Sequence, residues 1–347
     1  SARARKLQRM RAWRASAALG LVVFVCGAVA QPAAASSPPA FRALVFSKTA
    51  GYRHDSIPAA ISAIEQLGAT NGFAVDPTED ASTFTSANLS RYRVVIFLLT
   101  TGDVLDAAQQ AAFTAYIEAG GAFVGVHSAA DTEHDWPWYG GLVGAYFASH
   151  PPVQRATGDV VDRNTPSTVH LPAVWRRTDE WYNFSTDPSA SVTVLARLDE
   201  RTYAPGDGAM GASHPIDWQH VYDGGRSWYS GGGHTIASYS EPLFRRQLLG
   251  GILWAAGYDV PRLESISARV AGRRLKVVAT HPECYRCTLQ LRVRDENRAE
   301  TITVNARGRR TEALTRALHP GLRHYSVILS GGPLAVYVTA HRSVTIP

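Results

Sequence analysis

Over roughly the first two thirds of the chain, short and solidly apolar runs alternate with longer stretches that carry an apolar residue every third or fourth position. Residues 94–99 (VVIFLL) and 122–126 (AFVGV) are of the first kind, and 41–46 (FRALVF) and 73–76 (FAVD) come close to it with one charged residue each. Runs apolar at consecutive positions are what a strand needs when both faces of its sheet are covered. Residues 57–67 are of the second kind: Ile57, Ala60, Ile61, Ile64 and Leu67 fall on one helical face, and Pro58 sits in the first turn, where its missing N–H costs nothing. Residues 106–119 begin with Asp106, continue through an alanine-rich body and stop at Gly120 and Gly121, which predicts a second helix. Further strands are predicted at 192–197, 216–222 and 226–229, and a helix at 243–258 packs through Leu248, Leu249, Ile252 and Leu253. This alternation predicts an α/β fold: a mostly parallel sheet with helices on both faces.

From residue 261 the pattern changes. Short β-rich segments at 263–270, 274–279, 288–293, 301–304, 325–329 and 335–339 are separated by turns, the pattern of a small all-β sandwich. Charge divides at the same place. Residues 36–261 hold 14 Lys/Arg against 23 Asp/Glu, whereas residues 262–347 hold 15 against 6. The expected organisation is therefore an α/β domain over 41–260 and a β-sandwich-like domain over 261–347. The basic tail is expected to dock on the acidic body.

Residues 1–35 read as a signal peptide. Six basic residues and no acid precede and enter an apolar run at 15–30, and Ala33, Ala34 and Ala35 supply the small residues of a cleavage site. The run is shorter than the roughly 20 residues a membrane span needs. A secreted or extracytoplasmic protein is the expectation, with 36–40 as a linker and no membrane association beyond the signal. Removing those six charges takes the formal net charge of +6 to zero, so the basic pI is no argument for a nucleic-acid partner.

Chemistry collects where the predicted strands end. In an open parallel sheet, ligands bind beyond the carboxyl ends of the strands. Residues 47–56 (SKTAGYRHDS), 100–103 (TTGD), 127–134 (HSAADTEH) and 230–234 (SGGGH) follow four such ends, and three of them deliver a histidine. The stretch Gly125-Val-His-Ser-Ala129 has the layout of a strained strand-to-helix elbow that lifts its middle side chain, here His127, to the mouth of the sheet. Residues 36–261 contain no cysteine, which excludes a thiol nucleophile and with it glutamine amidotransfer. Cys284 and Cys287 form one C-x-x-C pair; a local disulfide pinning a hairpin is favoured over a redox pair or half a metal site, since no second C-x-x-C follows.

Seven segments resemble, in order, the ThuA-like (trehalose utilisation) family: GYRHDSI at 51–57, GAFVGVHSAADT ending at Thr132, WYGGL at 138–142, FASHP at 147–151, DEWY at 179–182, WQH at 218–220, and GGRSWYSGGGH at 224–234. The resemblance spans about 41–257 and implies a class I glutamine amidotransferase-like fold in which histidine replaces the nucleophilic cysteine. It also implies a role in the use of disaccharides, trehalose and its 3-keto derivatives in particular. Carried onto these motifs, the site comprises His54, Asp55, His127, Asp131, His150, Glu180, His220 and His234. His54, His127, Asp131 and His234 are expected to be catalytic. Tyr52, Asp55, Trp138, Glu180 and Trp218 are expected to bind substrate, the aromatic rings by stacking on sugar faces. His127, His150 and His220 are the expected ligands of a Zn²⁺ or other divalent ion. His134 and His214 are expected to be solvated.

Two mechanisms are open: a metal that activates water or polarises a sugar carbonyl, and histidine acid–base chemistry oriented by a carboxylate. The expected function is action on a small carbohydrate, as a hydrolase, lyase or isomerase, without a nucleotide. The alternative is a non-catalytic carbohydrate-binding or cell-surface protein on the same fold.

Overall fold

The computed structural model describes residues 38–295, 298–334 and 336–347; the signal sequence expected at 1–35 lies outside them. The α/β part runs β1 (Arg42–Phe46), α1 (Ile57–Asn71), β2 (Ala74–Thr78), α2 (Ser86–Leu89), β3 (Val94–Leu98), α3 (Ala107–Glu118), β4 (Ala122–Val126), α4 (Pro137–Val143), β5 (Phe147–Ser149), β6 (Gln154–Val160), β7 (Val174–Asp179), β8 (Asn183–Phe184), β9 (Thr193–Asp199), β10 (Pro215–Tyr222), β11 (Gly225–Ser230) and α5 (Pro242–Ala255). Nine of these strands form one sheet in the order β2-β1-β3-β4-β11-β10-β9-β6-β7. The pairs from β2 to β11 are parallel, and those from β11 to β7 antiparallel. Counted by direction, every strand but β6 and β10 runs the same way, so the carboxyl ends of β1, β4, β7 and β11 share one rim.

The solid apolar runs are explained by two cores. Along β1, Ala43 and Val45 face a core shared with α1 and α5, while Leu44 and Phe46 face a second core shared with α3 and α4. β3 divides in the same way, Ile96 to one side and Phe97 to the other. Side chains of a strand point alternately to opposite faces, so covering both faces leaves no position for a polar residue. The helix ends obey local chemistry. Asp106 caps α3 in a reciprocal capping box with Gln109. Gly72 closes α1 at φ +77°, its N–H donating to the Gly68 carbonyl, a left-handed position that glycine adopts without a Cβ penalty.

Strands β5 to β8 were not predicted: Gln154–Val160 and Val174–Asp179 are polar at several positions because they approach or form the sheet edge, where one face meets water. β5 and β8 pair with each other in a separate two-stranded ribbon.

The C-terminal strands form two further sheets. β12 (Ser265–Ala271), β13 (Arg274–Thr280) and β16 (Arg310–Leu314) make one; β14 (Cys287–Asp295), β15 (Arg298–Asn305), β17 (Gly321–Gly331) and β18 (Val336–Ile346) make the other. Leu275, Val277, Leu289, Leu291, Val327 and Leu329 meet in the core between them. Cys284 and Cys287 are joined by a disulfide at the entrance to β14. This part packs on the α/β part through Tyr285, whose ring meets those of Phe41 and Tyr258 and whose hydroxyl donates to the Asn71 carbonyl. Arg286 donates to the same carbonyl. The contact that charge division led us to expect is thus made by aromatic packing and the end of α1. No described helix is long and apolar enough to cross a membrane.

Candidate functional site

Four side chains converge on the common rim. His54 comes from the loop after β1, His127 from the first position after β4, Glu180 from the first position after β7, and His234 from the loop after β11. One nitrogen of each histidine and one Glu180 oxygen all lie within 4.8 Å of one another. His127 is fully buried, His54 and Glu180 nearly so, and His234 partly.

The elbow expected at His127 is present. The residue takes φ +52°, in the left-handed region where a side chain is strained. Surrounding bonds hold it there. The Tyr229 hydroxyl donates to the His127 carbonyl, the Tyr139 hydroxyl to that of Ala129, and His127 Nδ1 lies 2.9 Å from the Gly231 carbonyl. A carbonyl only accepts, so Nδ1 carries a proton, and Nε2 is the nitrogen that faces the cluster. His127 Nε2 is 3.2 Å from Glu180 Oε2 and 3.3 Å from His234 Nδ1.

His234 is placed by Asp179. The backbone N–H groups of Gly233 and His234 both donate to this fully buried carboxylate, at 2.8 and 3.1 Å, and Ser238 Oγ adds a third bond. Arg177 neutralises Asp179 at 2.9 Å and also holds Glu241 and Ser238. Gly233, at φ +108°, lets the backbone turn beneath the site. Asp179 and Arg177 were not singled out from the sequence. The signal was present: Arg-x-Asp-Glu at a strand end places alternate residues on one face, but a two-residue spacing is too common to be read unaided.

Burial and the neighbouring imidazoles hold His54 at a pKa of about 3, so it is neutral at pH 7. Burial alone would raise Glu180, yet its hydrogen bonds to His127 and His234 carry it well below the ordinary carboxylate range. Burial likewise opposes charging of His234, and its hydrogen bond to Glu180 outweighs that and raises it. Three imidazoles and one carboxylate, largely shielded from water, match the donor set that takes Zn²⁺ or a similar divalent ion. The bond from His127 Nδ1 to a carbonyl is the outer support that metal-ligating histidines usually have. The group could therefore hold a metal.

Around these four, His150 is the outermost imidazole: its Nδ1 stands 3.1 Å from Glu180 Oε1, on the side away from His127, and 3.0 Å from the Pro151 carbonyl. Tyr52 is largely exposed and sets its ring edge-on to His54 at 4.9 Å. Asp55 is exposed, close enough for its charge to act on His234. Tyr182 floors the site, its ring 4.1 Å from that of His127.

Other expected residues are elsewhere, and each placement has a packing reason. His220 pairs with Ser227 inside the β10–β11 ladder, about 10 Å down the strand from Ser230, and its Nε2 is bound to the Leu142 carbonyl; it is not among the converging ligands. Trp218 is fully buried, stacked on Tyr229, with its N–H donating to the Val143 carbonyl. Trp138 donates to Asp223 in the β10–β11 turn, at the opposite rim. Neither tryptophan offers a face to a sugar at this site. Asp131 is turned to His134, 3.0 Å away, on the half-exposed outer side of the elbow. His214, expected in solvent, is fully buried between Glu200 and the Tyr182 carbonyl.

Comparison with known proteins bears on the family and the fold. The sequence model of the ThuA family, described as trehalose utilisation, matches residues 42–255. A crystal structure of a protein described as ThuA-like from Bacteroides uniformis is 26% identical, with a TM-score of 0.57, covering 66% of this chain and 96% of its own. A second ThuA-like protein, from Parabacteroides merdae, shares the fold at 20% identity and a TM-score of 0.53, covering 65% of this chain and 94% of its own. No curated protein matches significantly. With its histidines gathered at the rim of an α/β sheet and a family match over most of that sheet, this chain belongs to the ThuA (trehalose utilisation) family.

Proposed function

We propose that the protein acts on a sugar, a keto-disaccharide or glycoside, at a divalent-metal site formed by His54, His127, Glu180 and His234, outside the cytoplasm. The observation that carries the reading is the convergence of these four donors within 4.8 Å from four separate strand ends. A divalent ion held there would act as a Lewis acid toward a sugar oxygen. The chain's own residues do the rest. His127 and Glu180 are fixed by the elbow and the edge strand, so the donor geometry is set before substrate arrives. His150, the half-exposed imidazole on the outer oxygen of Glu180, can take a proton from a sugar hydroxyl or return one, with Glu180 orienting it. Tyr52 and Asp55 border the mouth, where a ring face and a carboxylate suit a sugar's apolar face and its hydroxyls.

The alternative, sugar binding without turnover, finds no stacking surface at the rim in Trp138 and Trp218, which are engaged in packing. The test is metal analysis of the purified protein together with product detection by mass spectrometry on 3-keto-trehalose and a panel of oxidised disaccharides. Stoichiometric metal and turnover, both lost in His127→Ala and His234→Ala with folding intact, is the expected result. Saturable sugar binding with no product, undisturbed by either substitution, would overturn it.

A further inference from the structure

The outer face of the four-stranded C-terminal sheet carries a feature unrelated to the histidine cluster. In β14 the inward positions Leu289, Leu291 and Val293 are buried, and the outward ones are Thr288, Gln290, Arg292 and Arg294. Register carries these outward positions across the sheet. Arg292 lies opposite Thr301 on β15 and Ser326 on β17, and Ser326 lies opposite His341 on β18. Arg294 lies opposite Ala299 and His324, and His324 opposite Ser343. Two adjacent cross-strand rows thus read Thr-Arg-Ser-His and Ala-Arg-His-Ser. They line an open groove of about 480 Å³.

No carboxylate occurs among the described outward residues of this face; the acids of these strands, Asp295 and Glu300, point inward and are spent on His319, Arg323 and Arg316. Among the described residues Arg292 bonds sideways to Gln290 alone, and no described carboxylate pairs with Arg294. Arginines without counter-charge, flanked by histidines and hydroxyls, recognise anionic groups bidentately while the hydroxyls exchange bonds with neutral ones. Along β18 the same face continues through Thr339 to Tyr337, 70% exposed. From Ser343 to Tyr337 the path is about 20 Å at strand rise, long enough for several sugar rings and ending on an aromatic ring able to stack on one.

We infer that this face binds an acidic polysaccharide bearing uronate carboxylates, with Arg292 and Arg294 on the carboxylates and Thr301, Ser326, Thr339 and Tyr337 along the sugar chain. The mixture favours a glycan over a nucleic acid: hydroxyl side chains outnumber cations on the face, and it offers one aromatic ring where stacked bases call for several. The assignment is independent of the chemistry at the rim.

The full chain would be run by affinity electrophoresis in gels containing polygalacturonate, with dextran, heparin and single-stranded DNA as parallel arms. Retardation by polygalacturonate and none by dextran is expected, with apparent affinity falling at least tenfold in Arg292→Gln/Arg294→Gln at an unchanged Tm. The control Arg269→Gln/Arg307→Gln, which removes two exposed charges elsewhere on this part, should leave binding intact. Any of four results would overturn the inference: no retardation, equal loss in both double variants, tighter binding to DNA or heparin than to polygalacturonate, or concentration-dependent self-association that the Arg292/Arg294 variant abolishes.

Discussion

Glu180 Oε2 lies 3.2 Å from His127 Nε2, although the strands that deliver them, β7 and β4, stand five places apart in the sheet. In a flat sheet that separation would be about 24 Å. The antiparallel half must therefore curl back over the rim. Irregular register between β9 and β10 near Asp217 marks where the ladder bends. The bonds from Asp179 and Arg177 to the loop after β11 fasten the curled edge in place.

The carboxylate should govern metal affinity. Glu180→Gln keeps the shape of the side chain but removes its charge, and with it one anionic donor. Zinc affinity measured by calorimetry is expected to fall by about 100-fold, whereas the circular dichroism spectrum stays native. His220→Gln, outside the cluster, should leave that affinity unchanged.

Asp179 tests the fastening. Asp179→Asn leaves Arg177 buried with only Glu241 as its anionic partner, and breaking a buried pair costs about 3 kcal/mol or more. Urea unfolding should show a loss of that size. Metal affinity should fall too, because the Gly233 and His234 amides lose their charged acceptor; unchanged affinity in the folded variant would remove Asp179 from any role in placing His234.

Acid should destabilise the fold through buried neutral imidazoles. Burial, with the charge of Arg246, holds His170 at a pKa of about 4, and its Nδ1 has no partner. The unfolded chain takes up this proton near pH 6.5 and the folded chain only near 4, so stability is complete above pH 6.5 and declines as pH falls toward 4. His170 alone contributes a slope of up to about 1.4 kcal/mol per pH unit in that window. Unfolding of His170→Gln between pH 7.5 and 4.5 should show a shallower decline than that of the parent.

The disulfide closes a very short loop, so its stabilisation should be modest, about 2 kcal/mol on the chain-entropy account. Cys284→Ser/Cys287→Ser should lower the C-terminal transition by no more than that and leave metal binding at the rim untouched. A collapse of both would show that Tyr285, between the two cysteines, needs the bridge to seat against Phe41 and Tyr258.

Legibility in the sequence followed burial. β3 and β4, covered on both faces, announce themselves as unbroken apolar runs, β1 as a run led by Arg42, and α1 and α3 by spacing and caps. β6 and β7 do not, because they approach the sheet edge, and an edge strand can carry Arg176, Arg177 and Asp179 in sequence. The histidines of the cluster were visible because strand ends are where a parallel sheet gathers its chemistry. Glu180 was legible only as a contact residue; its position among the imidazoles depends on the curl, a long-range feature no local pattern encodes. His220 and Trp218 misled for the opposite reason: they lie in a family-like motif, but within the ladder, where ring nitrogens satisfy backbone carbonyls.

β7 is laddered on one side only, to β6. The four donors therefore rest on unequal foundations: three imidazoles stand at the ends of interior strands, and the carboxylate hangs from a margin. Should the β6–β7 hairpin peel from β9, Glu180 would swing off like the latch of a door while the histidines kept their places. Whatever loosens that border loosens one donor of the four and leaves the other three where they stand.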